Sequence, residues 1–313
     1  MIDTTIIQQH IQPNSTLVVG FSGGPDSVFL LTLLHELVPK LHLKIIAAHL
    51  DHEWRKESGK DSAWCKKFCD DRSIAVEMER ASNLDFDIKH NGSQAEIGRK
   101  LRRFFFEQLA TKHQADRIVL AHHGDDQLET FFIRLARGAS IAGLCGIKEN
   151  DGLYLRPLLC LSKQEILDYL HHHNIDFLTD PTNTDPKYLR NRIRKSLIPT
   201  LQQIDSRFLK NISHAMHHLE KTDDFLKQSM HDLLPTIKNS TGIHIPSFLK
   251  LHEVMQHHIF MHLFIENKVF LTPSSALFQE ILRFLKNNKT QSHQLHPELI
   301  IIKQGDYFYF KSL

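Results

Sequence analysis

The sequence predicts an α/β fold: a doubly wound parallel sheet followed by a second, smaller, mainly helical domain. Three observations predict it. Short apolar runs alternate with stretches of helical periodicity through the first half of the chain, the signature of parallel strands linked by helices. Three of those runs end in polar clusters, and ligand sites in such sheets lie at the carboxyl ends of strands. After about Ser206 the character changes: residues 1–206 hold 26 Lys+Arg against 27 Asp+Glu, whereas 207–313 hold 12 against 9 and 11 histidines. The reading therefore divides the chain into domains 1–206 and 207–313.

Leu17–Phe21 is an uninterrupted apolar run and reads as a strand ending in Ser22-Gly23-Gly24. Asp26–Val38 reads as a helix, with Pro25 suited to its first turn because a missing N–H costs nothing there. Lys44–Leu50 is a strand ending in Asp51-His52, and Ser58–Arg72 a helix. Ile74–Met78 is a third strand, Ser93–Lys112 a long helix, Arg117–Ala121 a strand ending in His122-His123-Gly124-Asp125-Asp126, and Gly124–Arg137 a helix. A further helix follows Leu161; then come the turn-forming segment Thr179–Pro186 and a basic helix from about Lys187. Leu299–Phe310, broken at Gly305-Asp306, predicts a terminal hairpin.

A chain of 313 residues with 41% hydrophobic and 24% charged residues has globular composition, so a disordered or fibrous protein is excluded. The net charge of +2 leaves no global basic excess, so any nucleic-acid surface must be local. Cys65, Cys69, Cys145 and Cys160 form neither a CxxC pair nor a disulfide framework. The amino terminus lacks a basic n-region, and no run of about 18 apolar residues occurs. A cytoplasmic protein without a membrane span is expected.

Ser22-Gly23-Gly24-Pro25-Asp26-Ser27 joins the first strand to the first helix. Glycines let the backbone approach a phosphate, the helix amino terminus favours an anion, and the two hydroxyls add donors. Turn chemistry alone does not call for this set. No Gly-Lys-Ser/Thr follows, which excludes a Walker loop. In the 124–137 helix the i, i+3 spacing brings Asp126 and Glu129 to one face, where two carboxylates can hold an ammonium or a magnesium ion, or serve a helix amino terminus. His122 and His123 lack the further ligands of a zinc set, which leaves core packing or nucleotide contact. Arg190 and Arg194 share a face at i, i+4, and with Arg192 and Lys195 they can grip phosphates of ATP or RNA. Arg99, Arg102 and Arg103 form a second basic group. His171-His172-His173 ends a helix, where cations are favoured.

The first loop resembles the PP-loop of the ATP pyrophosphatases, which split ATP between its α and β phosphates. The remaining motifs resemble the tRNA(Ile)-lysidine synthetase family, in its short form. They are Asp51-His52, Arg99 with Arg102, Ala121–Thr130, Arg137-Gly138 with Gly143-Leu144, Arg156-Pro157-Leu158, Asp180-Pro181-Thr182-Asn183, and Arg190-Asn191-Arg192-Ile193-Arg194, spread over about residues 17–201. Departures are Glu53-Trp54-Arg55 where Gly-Leu-Arg is usual, Arg103 in place of an aromatic, and Ala139-Ser140 after the Arg-Gly pair.

The resemblance implies ATP-dependent ligation of free L-lysine to C2 of the wobble cytidine in the CAU anticodon of tRNA(Ile), through an adenylated cytidine, with release of pyrophosphate and AMP. By that resemblance Ser22, Gly23, Gly24, Pro25, Asp26, Ser27, His52 and Arg194 bind ATP, and Asp26 helps to place Mg2+. Asp126 and Glu129 bind lysine, and Asp26, Asp126, Glu129, Arg99 and Arg102 form the catalytic set. Arg190, Arg192 and Lys195 contact tRNA together with residues 207–313, and a homodimer is compatible with the reading. Candidates for the base that frees the lysine amine are Asp126, Glu129 and His52. Two rival readings stay open: a tRNA 2-thiolation enzyme, for which Cys65 and Cys69 at C-x3-C are poor material, and a silent RNA-binding module on the same fold.

Overall fold

The computed structural model describes residues 5–55, 57–86, 93–179, 189–205, 207–269, 274–287 and 290–313. The Asp180–Asn183 motif and Pro186 lie outside the described residues. The chain divides into two compact units, Met1–Met216 and His217–Leu313.

In the first unit a helical turn α1 (Thr5–Gln8) precedes β1 (Thr16–Gly20), α2 (Pro25–Leu41), β2 (Lys44–Asp51), α3 (Ser58–Asp70), β3 (Ala75–Arg80) and α4 (Gln94–His113). Next come β4 (Arg117–Val119), α5 (Gly124–Ala136), α6 (Ile141–Leu144), β5 (Asn150–Asp151), β6 (Tyr154–Leu155) and α7 (Lys163–His172). α8 (Leu189–Arg192), a π-helical turn over Ile193–Leu197 and α9 (Ile198–Ile204) follow, and the unit boundary falls within α10 (Phe208–Ile237). The sheet order is β3-β2-β1-β4-β6-β5. All neighbours are parallel except the short edge strand β5.

The strands are apolar without alternation because both faces of the sheet are covered. Leu17, Val19 and Ala47 face Phe29, Leu30, Leu33 and Leu34 of α2, Phe68 of α3 and Leu170 of α7. Val18, Ala48 and Ile118 face the opposite way, onto Leu101, Phe105 and Leu109 of α4. The register Val18↔Ile46 and Val18↔Ile118 aligns β1 with both neighbours, so their carboxyl ends open on the same edge. Helix starts are fixed where the site needs them. Pro25 opens α2 behind Gly24. Before α7, Ser162 Oγ accepts from the Glu165 N–H while Glu165 returns an acceptor to the Ser162 N–H, a reciprocal cap.

The second unit holds the rest of α10, β7 (Ile243–His244), α11 (Ile245–Leu249), α12 (Glu253–Glu266), α13 (Ser275–Lys286), β8 (Ser292–His296), β9 (Leu299–Gln304) and β10 (Tyr307–Ser312). Its antiparallel sheet runs β7-β10-β9-β8, and Phe248, Phe260, Phe264 and Phe308 fill its core. The expected terminal hairpin is β9–β10. The expectation of a mainly helical region missed β7, which is two residues long, and β8, whose Ser-His-Gln-Leu-His lacks the β-branched residues that mark strands. Among the described residues no helix is long and apolar enough to cross a membrane.

Leu34 is wholly buried between α2 and the sheet. Leu34→Ala should lower unfolding free energy by about 2–5 kcal/mol, read from the urea midpoint, because the cavity can collapse only in part.

Candidate active site

The first loop folds back on its own hydroxyls. Ser27 Oγ accepts from the Ser22 N–H at 3.1 Å and donates to the Gly24 carbonyl at 2.9 Å, so the turn is closed before any ligand arrives. Gly23 sits at φ +78°, and a Cβ there would lie 2.7 Å from Leu178 Cδ1 and 2.8 Å from Cys65 Sγ. The Leu178 N–H donates to the Gly23 carbonyl at 2.8 Å, so this turn needs glycine for both its dihedral and its space. A cavity of about 270 Å³ opens beside it, bounded by Ser22, Asp26 and Ser27 on one side and His52, Arg102 and His122 on the other. A larger hollow of about 670 Å³ between β3 and α4 contains none of the motif residues.

At the end of β4, His123 gathers the carboxylates. Its Nε2 lies 3.6 Å from both Asp26 and Asp126, and its Nδ1 lies 3.5 Å from Asp125. Burial works against a charge on this ring, but the contact with Asp125 and the charges of Asp126 and Asp26 outweigh it and raise its pKa. Burial likewise opposes charge on Asp126, yet the charges of His123 and Arg190 hold its carboxyl below the usual range. Asp26 also pairs with Lys163, its Oδ1 lying 2.5 Å from Nζ, and the backbone N–H of Lys163 donates to Asp125 at 2.8 Å. Lys163 was missed from sequence. It stands 137 residues from Asp26, at the first turn of α7, and no spacing announces the contact.

Glu129 is fully buried, and each of its oxygens accepts from an arginine: Arg190 Nε at 2.6 Å and Arg194 Nε at 2.5 Å. Arg190 also reaches Asp126 at 3.7 Å. The i, i+4 pairing of the two arginines is thus realised across the π-helical turn. A lysine at Glu129, as the sequence expects, would share a buried carboxylate with these two arginines, whereas Asp126 is the more open of the expected pair. Arg192 and Lys195 of the same segment are exposed.

Across the cavity, Arg102 donates to His52 Nε2 at 3.0 Å. Burial, reinforced by the charge of Arg102 and opposed by Asp51, pushes the His52 pKa down to about 4. Its Nε2 lone pair is engaged by Arg102 in this arrangement. His122 is likewise neutral, pushed down to about 4 by burial with Arg156, Arg190 and Arg99 adding to the effect against Asp126. Arg99 is exposed one turn before Arg102. Burial pushes the Cys65 thiol up to about 12 and Cys69 up to about 11, so neither is a ready nucleophile.

A family model described as PP-loop domain matches residues 2–201. The chain is 36% identical over 238 residues to a tRNA(Ile)-lysidine synthase of Bacillus licheniformis, covering 74% of this chain and 50% of that protein. It is 35% identical over 242 residues to the tRNA(Ile)-lysidine synthase of Bacillus subtilis, covering 74% and 51%. The chain spans about half the length of these curated relatives. Among solved structures it is similar to a U34-tRNA thiolase from Methanococcus maripaludis, with 17% identity and a TM-score of 0.58 over 69% of this chain and 78% of that one. At that identity the likeness is one of fold.

Glu129→Gln should destabilise the chain by roughly 3 kcal/mol in urea unfolding. That is the low end for breaking a buried ion pair, because both arginines keep solvent contact. A pH dependence follows from His123. Its folded pKa lies above its unfolded value of about 6.5, so its stabilisation is complete below that pH and is lost as pH rises through the folded value. In His123→Gln, urea midpoints should lose the decline that sets in as pH rises above about 6.5, and an unaltered profile would contradict the assignment.

Proposed function

The chain belongs to the PP-loop family, its matched domain spanning residues 2–201, and on that premise we propose that it ligates lysine to C2 of the wobble cytidine in the CAU anticodon of tRNA(Ile), using ATP. One observation carries this reading. A phosphate cradle and a carboxylate cluster converge on His123, with two anchored arginines beside them. Such a site can neutralise a triphosphate and receive an ammonium within a few ångströms. The names of the curated relatives point the same way.

In the first step the cytidine O2 attacks the α phosphorus of ATP. A C–O–P linkage forms, the bond to the β phosphate breaks, and pyrophosphate leaves with the electron pair. The Ser22–Ser27 turn and the amino terminus of α2 hold the phosphates, and Arg190 and Arg194 oppose the charge that develops on them. Magnesium would be held by Asp26 together with phosphate oxygens, oxygen donors of the kind this ion takes, and would offset charge on the leaving group. In the second step the lysine amine attacks C2 and AMP departs with its oxygen.

That amine must first lose a proton. Against a reference pKa of about 10.4, deprotonation at neutral pH costs roughly 4.6 kcal/mol. Asp126 is the proposed acceptor and the proposed contact for the lysine ammonium. Partial burial there lowers the ammonium pKa while the Asp126 charge raises it, so freeing the amine requires that desolvation outweigh that contact. Arg192 and Lys195 are proposed to hold tRNA phosphates with Arg99 and Arg102, and the second unit to contribute to tRNA binding. A tRNA substrate fits the expected cytoplasmic location.

Asp26→Ala should abolish tRNA-dependent pyrophosphate release while leaving the urea midpoint near wild type, and release at the wild-type rate would remove Asp26 from the first step. Asp126→Asn should raise the lysine KM about tenfold or more and the ATP KM far less, as expected for one lost charged contact. Equal effects on both would assign Asp126 to magnesium instead.

A further inference from the structure

Trp54 takes no part in the chemistry above, yet the fold goes to some length to place it. Its indole is 45% exposed and stacks on the His52 ring, with centroids 4.4 Å apart and planes 19° from parallel. The preceding residue, Glu53, has φ +57°, a conformation that a glycine would take without strain. That turn is fastened on both sides. Asp51 Oδ1 accepts from the Glu53 N–H at 2.8 Å, and the Glu53 carboxylate accepts from the Ser82 N–H at 3.0 Å. On α4, Gly98 provides the slot for the indole edge, since a Cβ there would lie 2.4 Å from Trp54 Cη2.

We propose that Trp54 is a stacking platform for an unpaired nucleobase of the RNA substrate, and so a substrate-positioning residue for the reaction proposed above, on which this inference rests. The argument is one of layers. His52 lines the cavity beside the phosphate cradle, and Trp54 does not. A nucleotide seated in the cavity therefore meets the imidazole, and the half-exposed indole is the next ring in that stack. Single-stranded RNA loops are recognised by stacking splayed bases on aromatic faces and guanidinium planes, with cations on the flanking phosphates. Arg99 and Lys100, both exposed, follow Gly98 on the helix that backs the platform, and Arg102 lies one turn further along. A half-exposed indole in a cationic setting beside a nucleotide cavity matches a base better than it matches a protein partner, whose docking would need a larger apolar face.

The chain has two tryptophans, and the other, Trp64, stacks on Phe68 within α3. Trp64→Phe therefore makes Trp54 the sole indole reporter in the full-length protein. A CAU anticodon stem-loop RNA should quench its emission about twofold at saturation, and ATP alone should not. Trp54→Ala should weaken stem-loop affinity in filter binding roughly ten- to hundredfold, with ATP affinity unchanged, and Trp54→Phe should restore it to within about threefold. Wild-type RNA affinity in Trp54→Ala, or emission indifferent to saturating RNA, would overturn the platform alone. Quenching by ATP alone, or loss of ATP binding in Trp54→Ala, would overturn it by assigning the indole to the ATP cavity. A wild-type chain that binds no RNA would fail the functional reading, and the platform with it.

Discussion

A carboxylate taken wholly out of water must be neutralised where it stands, and Glu129 is that carboxylate here. Its two oxygens draw Arg190 and Arg194 onto α5 from a segment more than sixty residues further along the chain. The desolvation of one acid is thus converted into the placement of two bases. A charge pair so buried is weak evidence of net stabilisation but a strong constraint on geometry, because each partner is costly without the other. The π-helical turn over Ile193–Leu197 belongs to the same constraint, lying where the two arginines converge on a single acid.

The remaining charges settle around that anchor. Asp126 is shared between Arg190 and the His123 ring, His123 is shared among three aspartates, and Asp26 links the cluster to the phosphate loop and to Lys163. On the opposite wall, His52 and His122 are kept neutral by burial, so positive charge there resides on arginine. The cavity lining thus combines the Asp26 carboxylate, the Arg102 guanidinium and two neutral imidazoles, with the acid and arginine cluster around His123 reached through Asp26. That is a suitable arrangement for a polyanion and an ammonium that must meet.

Much of this was legible in the sequence because it is written locally. Strands buried on both faces show as unbroken apolar runs, and Ser22–Ser27 announces its turn through glycine and proline chemistry. The i, i+4 spacing of Arg190 and Arg194 announces a shared partner. What escaped was set by distance. Lys163 reaches Asp26 from another element, and the sequence assigns Glu129 a carboxylate face without saying that two arginines already occupy it. The short strands β5 to β8 escaped for another reason: two residues, or five with a single apolar Leu295, leave no period to read. Glu53 was visible as a departure from Gly-Leu-Arg, but only its positive φ explains why glycine is usual there.

The Lys163–Asp26 pair has a consequence for how the site responds to its surroundings. The ammonium is tethered to the protein, so it competes for Asp26 at an effective concentration far above that of any free cation, of the millimolar order or more. A visiting metal or amine gains this carboxylate only when something else accepts the displaced lysine, and an arriving phosphate is the natural acceptor. The lysine then acts as a built-in placeholder that makes occupancy of the carboxylate conditional on occupancy of the phosphate cradle.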